Sequence, residues 1–477
     1  MIGIYLILSF VLSLILFFAQ KRIISYFAVW SFILLQWVLT VHAFNRRDLA
    51  SLEYFTFDPL SLILLGILSI VCVPAFYHSY VFFNNRKDIP RQRGIYYAAM
   101  VILIASLSAA YLSNHLAVTW IFVELTTLST SALVYHNRNE RTLEATWKYI
   151  FVCSISITLV FVGILFLSIA LQHQGFKELS YQALIIDAPL LNPFWLKLAF
   201  LFIFTGFTAK AGLVPMYTVG IDAKDKAPGP AGALLASVLV NVGFLGIFRI
   251  YEVMANTSIA QWANTILVIG GLISIFVSAV YILRVKNLKR MLAYSGVEHM
   301  GIVMLGVASG GAGYYAAILH LVLHSFAKPA LFFQVDQVYR IYRSKSIYDI
   351  GNYFAYNTPG AMVLLFAFFI ITAMPPSGMF ISEFLIFRSI FESGKIWLLI
   401  LVLLFLTLII WSLGKNIFKM LFIRTLGFKE ENIKKIHPAE SLSQFMLLAL
   451  VVYLGLNPPV ELVNLIHDAT QHLPRKI

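Results

Sequence analysis

A nine-residue stretch of an apolar segment, HLVLHSFAK, carries three ionisable side chains at intervals of four residues: His320, His324 and Lys328. Helical residues four apart advance by about 40° around the axis, so these side chains form a slightly winding stripe on one face. Imidazole titrates near neutral pH, and a lysine removed from water releases its proton more easily. We therefore predict that this helix carries a proton path.

Three more ionisable residues lie in apolar segments: Glu124 in WIFVELTTLS, Lys210 in FTGFTAKAGLVP and Glu383 in FISEFLIF. A charge at the centre of a membrane helix costs roughly 2.5–3.5 kcal/mol on insertion scales, so such residues face a polar interior and pair. We expect Glu124 to pair with Lys210 if their helices are neighbours. Opening that pair would release the Lys210 proton, which the histidine stripe would pass to Glu383. The alternative is a pair that only fixes how the helices pack.

Weaker signals surround this set. Glu298 and His299, in AYSGVEHMG, either join the relay or bond to helix backbones, and the sequence leaves both open. Glu144 and Lys148 are four apart and favour a helix-surface pair. Asp58, in FTFDPLSL, lies where a helix N-cap and a functional role are equally compatible.

Composition places the chain in a bilayer. Of 477 residues, 60% are hydrophobic and only 12% are charged, whereas soluble domains have about 25% charged residues. The net charge of +13 comes from short basic groups between apolar runs, which argues against nucleic acid as a partner. The two cysteines stand alone in apolar segments and favour neither a disulfide framework nor a zinc or iron–sulfur site. We expect no metal site, redox centre or catalytic centre in this chain.

About fourteen apolar runs are long enough to cross roughly 30 Å of hydrocarbon, and they are too long for barrel strands. We predict an all-α polytopic membrane protein whose N-terminal run is retained as the first span. The runs lie near 2–19, 23–43, 59–83, 95–112, 115–135, 144–170, 194–216, 230–250, 262–283, 291–308, 314–335, 359–390, 396–420 and 440–456.

Lysine and arginine concentrate in alternate loops. By the positive-inside rule the rich loops face the cytoplasm, which predicts an inner-membrane protein with both termini on the non-cytoplasmic side. The rich set is Lys21, Arg22, Arg86, Lys87, Arg91, Arg93, Arg138, Arg141, Lys224, Lys226, Arg284, Lys286, Lys289, Arg290, Arg340, Arg343, Lys345, Arg424, Lys429, Lys434 and Lys435, and the sparse set is Arg46, Arg47, Lys177, Arg249 and Lys395.

Proline interrupts two spans, five spans apart. Pro215 lies near the end of the seventh, and Pro375 and Pro376 lie within the twelfth. Breaks at corresponding places indicate inverted repeats with a site at the midplane, although two unrelated tolerated prolines remain an alternative. We predict four divisions: 1–94 with spans 1–3, 95–255 as one five-helix repeat, 256–425 as the other, and 426–477 with the last span.

Several motifs in one order resemble a known family. KNLKRMLAYSGVEHMG, HLVLHSFAKPALFF, EATWKYIFVC, FTFDPLSLILL, MPPSGMFISEFLIF and AKAGLVPM…APGPAGALLASVLVNVG are similar to the antiporter-like membrane subunits of respiratory complex I, energy-converting hydrogenases and multisubunit cation/proton antiporters, above all to the hydrogenase-4 type. The resemblance implies a fourteen-helix core with broken seventh and twelfth helices. It also implies the fifth-helix glutamate for Glu124, the seventh-helix lysine for Lys210 and the terminal carboxylate for Glu383, with Lys328 ending the eleventh-helix relay.

The chain departs from the family pattern at its centre. Where the family has HxWLPDAH, this chain has Tyr217 at the first histidine position and Lys224 at the last, so Asp222, Lys224 and Asp225 become candidates for proton uptake. The eighth span has Asn241 where complex I relatives carry a lysine or histidine. An amide can orient water but cannot hold the proton, so the central step is expected to be water-mediated.

The resemblance implies a proton-translocating subunit of a membrane oxidoreductase. Its expected partners are other membrane subunits and a peripheral electron-transfer arm, which would hold iron–sulfur clusters with nickel–iron or flavin as open alternatives. Two other functions stay open: a subunit of a sodium/proton antiporter, and the membrane coupling partner of an inorganic-carbon uptake complex.

Overall fold

The computed structural model describes residues 1–47, 53–86, 89–176, 178–425, 428 and 435–474. In these ranges the chain is almost wholly helical, and twelve helices are long and apolar enough to cross a membrane. The shorter Ile2–Phe18 and the interrupted pair Thr358–Ile371 and Gly378–Glu392 complete the predicted fourteen crossings. The all-α polytopic fold is confirmed.

The spans are numbered 1 to 14 in chain order. They are Ile2–Phe18, Arg22–Asn45, Pro59–Asn84, Pro90–Leu112, Leu116–Val134, Glu140–Gln172, Pro193–Ala211 with Thr218–Lys226, Gly229–Ala236 with Val238–Ala255, Ala260–Arg284, Leu288–Ser309, Ala312–Tyr342, Thr358–Ile371 with Gly378–Glu392, Ile396–Phe422 and Leu442–Leu456. Tyr181–Asp187, Tyr353–Tyr356 and Val460–Ala469 are short helices outside this set.

Helix starts follow local capping chemistry. The Asp58 carboxylate accepts a hydrogen bond from the Ser61 backbone N–H at 3.2 Å, and Pro59 occupies the first helical position. The N-cap alternative for Asp58 is thus confirmed. Asp58 also forms an ion pair with Arg249, 2.5 Å away, and thereby ties the start of span 3 to the end of span 8.

Both predicted breaks are present. The first half of span 7 ends at Gly212, whose φ of 73° is left-handed and favours glycine, and the helix resumes at Thr218 beyond Pro215. Span 12 stops at Ile371 and resumes at Gly378, beyond the two prolines. Span 8 is also interrupted, at Ser237, where no proline marks the sequence.

The bundle has an enclosed interior. Spans 8, 10 and 11 are buried along their apolar windows, whereas spans 1, 2, 6 and 13 present large apolar side chains to the outside. The helix that carries the predicted histidine stripe is therefore surrounded by protein, and its ionisable side chains are kept from lipid. The four domain boundaries stay a prediction, and the last begins outside the described residues.

Basic residues from five loops gather at one end of the bundle. Arg86, Arg141, Lys226, Lys289 and Lys345 line one polar cavity of about 620 Å³. They follow spans 3, 5, 7, 9 and 11, which is the alternation that the sequence predicts. Lys87, Lys177, Lys429 and Lys434 lie outside the described residues.

Candidate functional site

The first cluster joins spans 5, 6 and 7 around Lys210. Lys210 is 6% exposed, and its ammonium donates hydrogen bonds to the Thr127 hydroxyl at 2.9 Å and the Tyr149 hydroxyl at 3.1 Å. The Thr127 hydroxyl donates in turn to the Glu124 carboxylate at 3.3 Å. Within the part of the chain that the structure describes, no ion pair joins Glu124 to Lys210, so the two charges communicate through Thr127.

Thr127 and Tyr149 were not predicted. Thr127 lies three residues after Glu124, which places both on one helix face, and this spacing is a signal that the sequence contains. Tyr149 lies within EATWKYIFVC, but only the packing of span 6 on span 7 brings it to Lys210. Hydroxyl partners satisfy the buried ammonium without an adjacent carboxylate.

The second cluster is built on His299. Its Nδ1 lies 3.2 Å from Nε2 of His320, and its ring centroid is 5.2 Å from the centroids of both His320 and His324. All three histidines are buried. The predicted stripe on span 11 is therefore bridged by a histidine from span 10, and of the alternatives left open for His299 the structure favours contact with the stripe.

Lys328, the last member of the stripe, turns toward span 10. Its ammonium donates to the Ser295 hydroxyl at 2.5 Å and to the Leu292 carbonyl oxygen at 3.2 Å. Ser295 lies one helical turn before His299, so Lys328 and the histidines face the same side of span 10.

Two carboxylates flank the histidines. Oε1 of Glu298 is 3.6 Å and Oε1 of Glu383 is 3.9 Å from Nδ1 of His299. Ser382, which precedes Glu383, lies with its hydroxyl 2.9 Å from Nδ1 of His320. Span 12 thus contacts the stripe through Ser382 and the bridging His299 through Glu383.

Several buried polar atoms of this cluster lack protein partners. Among the residues that the structure describes, both ring nitrogens of His324, Nε2 of His299 and Oε2 of Glu298 have no hydrogen-bond partner. Unpaired buried nitrogens are costly, and water or a ligand is the usual means by which proteins satisfy them. The hydrogen-bonding capacity of this cluster is thus only partly used, whereas the Lys210 ammonium has two hydroxyl partners.

At the centre of the bundle Asn241 is satisfied by a single residue. Its amide nitrogen lies 2.9 Å from the Ser325 hydroxyl, and that hydroxyl lies 3.0 Å from the amide oxygen. Ser325 follows His324 on span 11, so span 8 contacts span 11 beside the stripe. The role of Asn241 in orienting water stays a prediction.

Lys224, in the second half of span 7, lies in the neighbourhood of the stripe. The residue is buried, and a Cβ added at Gly296 would be 4.0 Å from both the Lys224 ammonium nitrogen and Nε2 of His324. These two groups therefore lie on the same side of Gly296. Lys224 faces the interior of the bundle, where Asn241 provides no charge.

Its neighbour Asp225 belongs to a different environment. The Asp225 carboxylate forms ion pairs with Lys226 at 2.7 Å, Arg290 at 3.7 Å and Lys345 at 3.7 Å. Burial lowers the pKa of Lys345, and Asp225 counters that effect. Asp222 pairs with Arg290 as well. This charge cluster lies at the basic end of the bundle, one residue from the inward-facing Lys224.

Tyr217, Glu144 and Lys148 are the remaining residues singled out from the sequence. Tyr217 packs near Tyr281 and Tyr294, with ring centroids 6.5 Å away in each case. It is half-buried at the mouth of the break in span 7. Glu144 and Lys148 form the predicted pair on the surface of span 6.

Residues 113–409 match the family described as "NADH:quinone oxidoreductase/Mrp antiporter, TM". The chain belongs to this family. A hydrogenase-4 component F homolog of Methylacidiphilum infernorum is 28% identical over 352 residues, which is 72% of this chain and 74% of that protein. An NADH-quinone oxidoreductase subunit N of Azobacteroides pseudotrichonymphae is 26% identical over 77% of this chain and 75% of its own length. This family member is thus similar to both hydrogenase-4 and quinone-reductase subunits.

Solved structures share the fold of this antiporter-family chain. A chain of the membrane-bound sulfane sulfur reductase, an archaeal respiratory membrane complex, aligns with a TM-score of 0.86 at 20% identity and covers 100% of this chain and 97% of its own. A chain of the Mrp complex from Dietzia sp. aligns with a TM-score of 0.84 at 16% identity, over 98% of this chain and 96% of that one. The family fold therefore extends over the whole length.

Proposed function

We propose that this chain is a proton-translocating membrane subunit of a redox-driven complex of the hydrogenase-4 or complex I type. The observation that carries the proposal is the series of buried ionisable residues on four helices, spans 7, 10, 11 and 12, from Lys210 to Glu383. Burial of so many ionisable groups costs free energy. Ionisable groups retained inside a membrane protein mark pathways for ions or protons. The hydrogenase-4 and quinone-reductase relatives support the redox partnership.

The first step uses Glu124 and Lys210. The Thr127 hydroxyl donates to one and accepts from the other, so reorientation of a single hydroxyl alters the contact between their charges. Lys210 holds its proton through two hydroxyl partners. Loss of either partner leaves the ammonium desolvated and favours release.

The central step uses Lys224. Asn241 cannot bind the proton, whereas Lys224 carries a buried ionisable amine on the same side of Gly296 as His324. Its position beside the Asp225 charge cluster connects the interior to the basic end of the bundle, which we assign to the cytoplasm. This assignment puts both termini on the non-cytoplasmic side of the inner membrane. It also makes Asp222 and Asp225 part of the uptake route.

The last step passes through the histidines. His324 and His320 both face His299, and His299 lies between Glu298 and Glu383. Neutral imidazoles accept a proton at one nitrogen and release it at the other, so the three rings form a short relay. Glu383 is the terminal acceptor.

Electron transfer belongs to partners. We place iron–sulfur clusters, with a nickel–iron centre or a flavin, in a peripheral arm and not in the helices described above. Neighbouring membrane subunits would cover the apolar outer faces of the bundle.

The test is purification from the native membrane, followed by identification of associated subunits and metals and by measurement of proton uptake into vesicles. Co-purified iron–sulfur subunits and electron-driven acidification of the lumen are the expected result. A complex without redox subunits that exchanges sodium for protons would contradict the proposal and support the antiporter alternative. That alternative is favoured by one observation, the similarity to the Mrp complex chain.

A further inference from the structure

Three metal-ligating atoms converge inside the bundle. Nδ1 of His299, Nε2 of His320 and a carboxylate oxygen of Glu383 lie within 4.8 Å of one another. They come from spans 10, 11 and 12, and all three residues are buried. We propose that this cluster is a binding site for a divalent transition-metal ion, zinc in particular, and that a bound ion blocks the histidine relay.

The spacing agrees with tetrahedral zinc. Zinc–nitrogen and zinc–oxygen bonds of roughly 2.0–2.1 Å place neighbouring ligand atoms about 3.4 Å apart. Nδ1 of His299 is 3.2 Å from Nε2 of His320 and 3.9 Å from Oε1 of Glu383. Small side-chain movements bring the three atoms to zinc-binding distances. Two imidazoles and one carboxylate leave the fourth position for water or another ligand.

A second carboxylate lies next to the site. Oε1 of Glu298 is 3.6 Å from Nδ1 of His299, and its Oε2 is buried without a hydrogen-bond partner in the described residues. Glu298 and Glu383 together supply two negative charges, which balance a divalent cation in a low-dielectric interior. Lys328 and Lys224 oppose a cation from the other side, so the affinity is expected to be moderate.

The donor set selects the ion. Imidazole nitrogen favours zinc, copper and nickel, whereas sodium, magnesium and calcium favour oxygen. A zinc ion here would occupy the nitrogens of His299 and His320 that the proposed relay uses. The proposal goes beyond proton transport, because metal binding can be measured on the chain whether or not it moves protons.

The experiment uses the complex purified with this full chain, stripped with a chelator and titrated with zinc. We expect one site per chain whose zinc X-ray absorption spectrum shows two imidazole nitrogens with oxygen neighbours. A spectrum with an oxygen-only shell, or no site at all, overturns the proposal. This measurement requires no variant and is therefore independent of folding defects.

Variants locate the site. His299→Ala and Glu383→Gln should each weaken zinc binding by more than about tenfold, as loss of a ligand does. His78→Ala removes another buried histidine, bonded to Ser443, and should leave binding unchanged. Equal weakening in all three variants, or in none, overturns the site.

Sodium and magnesium in excess should not displace the zinc. Zinc should also inhibit proton uptake by the wild-type complex. Zinc binding without any proton transport would contradict the proposed function alone, and transport that zinc leaves unaffected would contradict the blocking role.

Discussion

The two halves of the bundle hold their ionisable residues in opposite ways. Around Lys210 the ammonium has two hydroxyl partners, and Glu124 is only partly buried. Around His299 the ionisable groups are buried, and several of their polar atoms have no partner among the described residues. The first half holds a charge in a defined place, while the second offers a proton several neighbouring sites.

This difference follows from residue type. A protonated lysine is a donor only and is satisfied by hydroxyl oxygens from neighbouring helices. Neutral histidine has one donor and one acceptor nitrogen, held apart by a rigid ring, and here only His299 and His320 bring their nitrogens together, so both nitrogens of His324 lack a partner among the described residues. The cluster around Lys210 therefore suits storage of a proton, and the cluster around His299 suits its passage. The following substitutions test that division.

The largest effect is expected for Lys210→Ala. It removes the charge that the first half holds, and proton transport should fall at least about 100-fold, as for loss of a proton-transfer group. The complex should remain assembled on native gels. Lys197→Ala is the matched control, since this lysine lies on the same helix but contacts only the Trp262 ring in the described structure. Retained transport in Lys210→Ala would reject the role.

Lys224→Met should have the next largest effect. It removes the amine beside His324 but keeps the length of the side chain, and transport should fall about tenfold. Adding Asn241→Lys should restore part of the activity, because position 241 contacts Ser325, the residue that follows His324 on span 11. Lys415→Met, at an exposed position of span 13, is the control. An equal loss in Lys415→Met would show that net charge, not the position of Lys224, is responsible.

Thr127→Val should reduce transport by a smaller factor. The substitution keeps the shape and removes the hydroxyl between Glu124 and Lys210, while Tyr149 still satisfies the ammonium. Thr126→Val is the control, since that hydroxyl bonds only to the backbone of its own helix. Unchanged transport in Thr127→Val would mean that the two charges act independently.

The smallest effect is expected for Glu144→Gln. Its pair with Lys148 is exposed on the surface of span 6, where water screens the charges. Transport and the thermal midpoint of the purified complex should both equal those of wild type. A clear loss would place span 6 in the uptake route and remove the contrast between interior and surface pairs.

The sequence by itself determined the spans, the breaks in spans 7 and 12, and the candidate residues, but not the break in span 8. These features are local and have large energetic consequences, so each can be recognised in the amino-acid sequence. They are the length of the apolar runs, the prolines Pro215 and Pro375, and the charged residues inside membrane-length segments. The same physics identified the stripe from His320 to Lys328 before any contact was known.

Tertiary structure decided which of these residues meet. Thr127 stands between Glu124 and Lys210, and His299 lies against two histidines of another helix. Lys224 lies on the same side of Gly296 as His324, whereas its neighbour Asp225 pairs with basic residues at the end of the bundle. Partner choice depends on the rotation and packing of whole helices. Those are set by the sum of many weak apolar contacts across the bundle, and no local pattern of residues encodes that sum.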